Sequence, residues 1–412
     1  MKESLDPISK YLPKEGWLGE YLEFTSGMEA CTRFNFFSSC CVLGAAINNH
    51  AWIQRGDPDL LPKLFPNLWT ILLAPPGRGH KTSVINMAVN CLTAACGDVR
   101  ILADKLTPEY LVKALSSPKT AKEIIRIGPR DATGLIKAPE LSVFFGKQQY
   151  NTGLVSLVTD LYDYRKEWTG GTIGRGGETL NNVCISVLGG STPDWLQHLL
   201  PQDAFTGGFL SRFVIVEMPP SYFKKVTFPK LPSGLAWRGL VEHLERISKT
   251  EGELEWGEGS KEAYEIVYEN SLPTGESQSD AYREREAEQI LKVALLLAIS
   301  VNRIEILGKD VIQARDIITV LQKETNPRIE RLTTHPRMQL AQEIQDVLKF
   351  HGELTEGALL KIVYRSLSQG ENQFYEALRI LKRTGILEYK GNPGNYTYGL
   401  KAKKEVQDGK LV

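Results

Sequence analysis

The chain has 412 residues, in which 49 Lys and Arg balance 49 Asp and Glu. That balance excludes a histone-like or polyanionic protein, although a local basic patch can hide inside a neutral total. Apolar residues make up 42% and charged residues 24%, an ordinary globular composition, and the length suits two to four domains at ~100–200 residues each. The cysteines Cys31, Cys40, Cys41, Cys91, Cys96 and Cys184 form no C-x-x-C pair. They point to reduced, buried thiols rather than to a disulfide framework or a zinc site. The first residues lack the apolar core of a signal peptide, and the longest apolar run, Val293 to Ile299, is far below the ~18–20 residues that span a bilayer. The expectation is a soluble, cytoplasmic protein with no membrane partner.

Taken in chain order, residues 17–55 predict helices, with Trp17, Leu18, Tyr21 and Leu22 at helical spacing and an apolar stretch from Phe34 to Ile47. Leu68 to Leu73 predicts a fully buried strand, Lys81 to Ala95 a helix, and Val99 to Ala103 a second strand. Thr107 and Pro108 supply an N-cap and a first helical position. Gly134 to Ala138 predicts a strand, Leu154 to Tyr164 a helix, and Val183 to Leu188 and Phe213 to Val216 two more strands. Buried strands alternating with helices imply a parallel sheet covered on both faces. Pro219, Pro220, Pro229 and Pro232 mark a boundary, after which helices run from about Ser279 to Val301 and from Gly308 to about Thr325. Three helices over Gln339–Phe350, Thr355–Tyr364 and Glu371–Thr384, then a hairpin around Gly391 to Asn395, follow the order of a winged helix. The expected domains are a helical layer over 1–60, an α/β core over 61–225, a helical lid over 226–335, a winged helix over 336–400 and a tail over 401–412.

The stretch Ala74-Pro75-Pro76-Gly77-Arg78-Gly79-His80-Lys81-Thr82-Ser83 follows a buried strand and opens a helix, the context a phosphate loop requires. The loop residues Pro76, Gly77, Arg78, Gly79, His80 and Ser83 would bind the nucleotide, the backbone N–H groups of all but Pro76 converging on phosphate oxygens at a helix N-terminus. Lys81 would reach the β- and γ-phosphates of ATP, and Thr82 would hold Mg2+ through its hydroxyl. The usual spacing has glycines at the positions of Pro75 and His80, whereas here they fall at Gly77 and Gly79.

A strand-borne acid is expected beyond this loop. Glu140, after Ala138-Pro139, either polarises the attacking water or caps the next helix, with Asp131, Asp160 and Asp163 as substitutes. Ser191 or Thr192 either orients that water or caps the helix at Pro193. Arg212, in Gly207-Gly208-Phe209-Leu210-Ser211-Arg212-Phe213, acts on a neighbouring subunit's ATP as an arginine finger or pairs with a local acid.

The order of Pro75-Pro76-Gly77, Lys81-Thr82, Thr107-Pro108-Glu109, Glu140-Leu141, Gly189-Gly190-Ser191-Thr192-Pro193 and Gly208-Phe209-Leu210-Ser211-Arg212-Phe213 resembles the P-loop ATPase family forming the helicase half of phage and mobile-element primase–helicase proteins. The resemblance covers roughly 20–330. It implies an AAA+- or RecA-like core, ATP-Mg on Lys81 and Thr82, a Walker-B-like Glu140 and a trans-acting Arg212. It also implies self-association into a ring, a hexamer, on single-stranded or forked DNA, with a primase or other replication protein as a partner. In AAA+-like motors a lid cation senses the γ-phosphate, a role open to Arg283, Arg285 or Lys292.

In the C-terminal module, Lys361, Arg365, Arg379, Lys382, Arg383 and Lys390 are the expected DNA contacts, with Tyr389, Tyr396 and Tyr398 in the wing. The function expected is an ATP-dependent DNA motor, a replicative helicase. The alternatives are an ATPase that loads or remodels proteins on DNA, and a nucleotide-gated DNA-binding module that no longer hydrolyses ATP.

Overall fold

A strand apolar on both sides must be covered on both faces, and Trp69–Leu73 is buried at every position. The computed structural model describes residues 6–103, 105–117, 130–146, 152–172, 176–199, 208–222, 224–229, 231–272, 280–333, 336–364, 367, 371–392 and 396–401. They fall into two compact units, Met1–Ile329 and Glu330–Val412.

In the first unit, α1 (Gly16–Thr25) and α2 (Thr32–Ile47) lead through β1 (Ala51–Trp52) into β2 (Trp69–Leu73), α3 (Lys81–Ala95), β3 (Ile101–Ala103) and α4 (Pro108–Leu115). Next come β4 (Thr133–Ala138), α5 (Leu141–Phe145), α6 (Thr152–Asp160), β5 (Arg165–Thr172), β6 (Gly176–Ser191), α7 (Pro193–Leu199) and β7 (Val214–Glu217). The rest is α8 (Gly234–Ile247), β8 (Gly252–Glu253), β9 (Glu255–Trp256), α9 (Ser260–Asn270), α10 (Asp280–Ser300), β10 (Glu305–Ile306) and α11 (Gly308–Thr333). The unit is mixed α/β. Its central sheet runs β3-β4-β6-β2-β7 with parallel neighbours.

Both neighbours of β2 come later in the chain than its sequential successor β3, so the strand order reverses around β2. In open α/β sheets such a reversal opens a crevice beyond the carboxyl ends of the strands. The helix behind β2 explains its burial: α2 is buried from Arg33 to Ile47 and packs on β2, β6 and α3. Arg33 is the charged residue on this buried helix. Its guanidinium is fully buried and contacts Asp6 at 2.6 Å, Glu324 at 2.5 Å and the Glu217 carbonyl at 3.0 Å. Three remote segments are thereby tied at one buried ion network, where losing one partner typically costs ~3–5 kcal/mol.

β6 is longer than its apolar run predicts. Its first half leaves the parallel sheet and pairs antiparallel with β5, from Arg165↔Val183 to Thr172↔Gly176. α6 ends at Asp160 rather than Tyr164, because the chain turns there and sends the Tyr162 ring against Trp69 at 4.9 Å. The proline-rich stretch after Pro219 stays tied within the unit: Tyr222 Oη donates to the Glu29 and Ala30 carbonyls, and Lys224 Nζ to the Ser26 carbonyl. α10 is buried from Ile290 to Ile299 and packs on α1 and α2.

The second unit contains α12 (Pro336–His351), β11 (Leu354–Thr355), α13 (Glu356–Val363), α14 (Asn372–Arg383), β12 (Leu387–Lys390) and β13 (Thr397–Leu400). Its strands pair antiparallel in the order β11-β13-β12. Ile344, Leu348, Leu359, Phe374 and Leu378 form its core. Thr355 starts α13 by accepting from the Ala358 N–H.

Candidate functional site

The loop after β2 turns at Pro75–Arg78, where the Arg78 N–H donates to the Pro75 carbonyl at 3.2 Å. Gly77 (φ +69°), Gly79 (φ +76°) and His80 (φ +50°) then take left-handed backbone. Glycine suits that conformation, whereas histidine pays for it. Gly79 is also fixed by space, since a Cβ there would stand 2.9 Å from the Ala74 methyl and 3.0 Å from the Phe34 ring.

His80 is the N-cap of α3 yet makes no side-chain capping bond. The first N–H groups of α3 therefore face the loop mouth without a side-chain acceptor, an arrangement suited to an anion. The His80 ring instead pairs with Glu29 at 3.2 Å. Glu29 also accepts from the Val226 N–H, and this bond, with His80, holds its carboxyl below the usual range. Nothing in the sequence announced this pair, because Glu29 lies between helices far from the loop in the chain.

Lys81 is buried, and its ammonium donates to the Ala74 carbonyl at 2.9 Å, folding back over the loop. Burial pulls its pKa below the ordinary value, and the nearby Glu140 carboxylate offsets part of that shift. A buried ammonium on a single carbonyl is a group that an incoming phosphate can recruit. Thr82 and Ser83 are exposed at the mouth, as are Pro76, Gly77 and Arg78.

Glu140 reaches this loop through the strand order. Ala138 lies opposite Gly189, while Leu72 and Leu73 lie opposite Gly190 and Ser191. Gly190 is required here, since a Cβ would stand 2.4 Å from the Pro139 carbonyl. The ends of β4, β6 and β2 thus bring Glu140, Ser191 and the loop into one crevice. Glu140 begins α5 without a side-chain capping bond. Ser191 is buried, and its carbonyl accepts from the Ala74 N–H. The Thr192 hydroxyl accepts from the Trp195 N–H at 3.3 Å and so caps α7.

Arg212 sits elsewhere. It precedes β7, whose Val214 lies opposite Thr70 near the start of β2, so it occupies the amino end of the sheet. The loop leaves the other end of β2, a 5-residue strand of ~16 Å. Arg212 donates to the Gly208 carbonyl at 2.7 Å, lies 3.7 Å from Asp163 and stacks over the Tyr162 ring at 5.4 Å. Burial, then the neighbouring Arg285, lowers its pKa.

Arg285 and Lys292, two of the three candidates for the sensing cation, share this distant cluster. They lie 5.2 and 4.5 Å from the Tyr162 ring centre, and Lys292 also donates to Asn67. Asn67 precedes β2, so both cations stand at the amino end of the sheet, away from the loop that leaves β2 at its other end. Asp131 precedes β4 and Asp160 pairs with Arg165. With Asp163 they stand at the amino end of the sheet, remote from Lys81, and the substitute-acid role falls away.

In the second unit, Phe374, Ala377, Leu378 and Leu381 bury one stripe of α14. Tyr375, Arg379 and Arg383, four apart, are exposed along another side. Lys382, also an expected DNA contact, does not share that side. At three residues from Arg379 it turns toward the hairpin, where its ammonium lies 3.9, 5.1 and 5.0 Å from the rings of Tyr389, Tyr396 and Tyr398. Lys390 pairs with Glu353 at 2.8 Å, and buried Tyr398 donates to Glu356 at 2.8 Å. Lys361 is exposed, and Arg365 lies outside the described residues. Among the described residues no group of three or more His, Cys, Asp or Glu forms a metal cluster, and no helix is long and apolar enough to cross a membrane. No protein-family model matches the chain, and no curated protein matches it.

Proposed function

We propose that the chain is an ATP-driven, ring-forming motor on DNA, built as a P-loop NTPase core with a C-terminal winged helix, and that it acts as a replicative helicase. One observation carries this reading: Lys81, Glu140 and Ser191 converge at the carboxyl ends of three adjacent parallel strands, while Arg212 stands at the opposite end of the same sheet. The loop N–H groups and Lys81 bind phosphate, and Glu140 draws a proton from the attacking water. Thr82, exposed at the loop mouth, would hold Mg2+ through its hydroxyl, and the ion would supply charge neutralisation at the phosphates. Arg212, too far away to act in its own subunit, completes the site of the next one.

Glu140→Gln keeps the side-chain volume but removes the base. ATP binding is expected to persist while turnover falls ~10²–10⁴-fold. Equilibrium binding of a fluorescent ATP analogue beside a phosphate-release assay checks this, and wild-type turnover would move the role away from Glu140.

The DNA side of the proposal rests on the exposed row of Arg379 and Arg383. Reversing both to Glu is expected to weaken DNA binding at least ~10-fold and to flatten its log–log salt dependence by ~0.7–0.9 for each phosphate no longer neutralised. Basal ATPase survives and its stimulation by DNA falls. Binding titrations at two salt concentrations, with a sizing run, test this. An unchanged slope together with failed assembly makes the module a protein-docking site instead. Strand displacement from a forked duplex separates a helicase from a remodelling ATPase, and nucleotide binding without hydrolysis identifies the nucleotide-gated module.

A further inference from the structure

The cluster at the amino end of the sheet holds three cations against one ring. Arg212, Arg285 and Lys292 all lie over Tyr162, at 5.4, 5.2 and 4.5 Å. On the buried side, Glu288 answers them: it accepts from Tyr162 Oη at 3.0 Å and lies 3.4 Å from Lys292 and 3.5 Å from Arg285. On the solvent side the acid in ion-pair contact with both arginines is Asp163, 3.3 Å from Arg285 and 3.7 Å from Arg212. Its carboxylate is 56% exposed, whereas the two arginine side chains are 14% and 25% exposed.

We propose that Asp163 is an internal stand-in for the neighbour's phosphate: it engages Arg212 and Arg285 in the free subunit and is displaced when ATP in an adjoining subunit presents its γ-phosphate. This deepens the trans-acting reading of Arg212 and rests on it. The chemistry favours the exchange. Exposed single-oxygen ion pairs are weak. A triphosphate brings more charge and several acceptors to two guanidinium forks built for such oxygens. The buried Glu288–Lys292 half keeps the ring and Arg285 in place during the exchange, so the latch opens without unfolding the cluster. Asp163 is a positioning residue here, acting through the two arginines, and Arg285 becomes a second cation delivered in trans.

The test is Asp163→Asn, which keeps shape and removes charge. ATPase is measured against protein concentration, because the latch competes with assembly onto a nucleotide-bearing neighbour. Half-maximal activity is expected at roughly 3- to 10-fold lower protein concentration, the range set by two exposed ion pairs. If Asp163 merely keeps two like charges from repelling, the variant instead melts earlier and needs more protein, and the proposal is overturned. An unchanged half-point overturns it as well. The same titration on Arg212→Ala separates the latch from the trans-acting role of Arg212. Wild-type hydrolysis by Arg212→Ala removes the trans reading itself. Loss of hydrolysis there, with no shift in Asp163→Asn, removes the latch alone.

Discussion

Lys81→Ala is expected to abolish measurable ATP hydrolysis, lowering the rate at least ~10²–10³-fold, the cost of deleting one preorganised charge-stabilising group. Ground-state binding weakens less, by ~1.5–3 kcal/mol for one charge-assisted hydrogen bond. The fold tolerates the change. Lys81 is the first residue of a 15-residue helix whose apolar side, Val84, Ile85, Ala88 and Leu92, is untouched. Among the described residues, the side-chain hydrogen bond removed is the one to the Ala74 carbonyl, worth ~1 kcal/mol. A melting curve close to wild type beside a dead ATPase is therefore the expected pair of results. An active, well-folded variant would put the nucleotide site elsewhere. Because burial already disfavours the charged form of Lys81, the neighbouring Glu140 has a second duty. Glu140→Gln removes the acid that helps keep the ammonium charged, so Glu140→Gln and Lys81→Ala act on one coupled pair and their effects do not add.

The strand–loop–helix around Lys81 was legible because its signals are local. An apolar run long enough for a strand, glycines in a turn and a Lys-Thr pair opening a helix sit within about fifteen residues of sequence. Thr107 likewise caps α4 by accepting from the Tyr110 N–H, as the Thr-Pro pair predicts. What stayed hidden depends on contacts between distant segments. The β5–β6 hairpin is rich in glycine and polar residues, so it carries no apolar alternation, and only its pairing with β6 makes it a strand. Helical spacing puts Lys382 near Arg379, but the tyrosines of the hairpin draw its ammonium to themselves. Arg285 and Lys292 look like solvent-side charges on a helix, yet Lys292 is buried and the Arg285 side chain is only 25% exposed. The tertiary fold turns them onto Tyr162, in a cation cluster far from the loop after β2 of their own chain.

That relocation sharpens the expectation for Arg212. Arg212→Ala is expected to bind ATP as wild type does and to lose hydrolysis by ~10³–10⁵-fold, the contribution of an arginine finger. A purely structural Arg212 predicts something else. Its guanidinium donates to the Gly208 carbonyl, lies 3.7 Å from Asp163 and stacks over the Tyr162 ring, so losing it would lower the melting temperature and leave hydrolysis in proportion to the folded fraction. Mixing separates the two. In a ring with head-to-tail interfaces, each site takes its loop from one subunit and its finger from the next. Equal amounts of Arg212→Ala and Lys81→Ala give about a quarter of interfaces with an intact Lys81 facing an intact Arg212. Two inactive proteins are therefore expected to regain up to about a quarter of wild-type ATPase when mixed, and the gain should vanish on dilution below the assembly range. The position of Arg212 at the amino end of β7, a strand length from the loop that follows β2, makes this test one-sided. A cis role has no geometry to act through, so if mixing restores nothing while both proteins assemble, Arg212 does not touch ATP in either subunit.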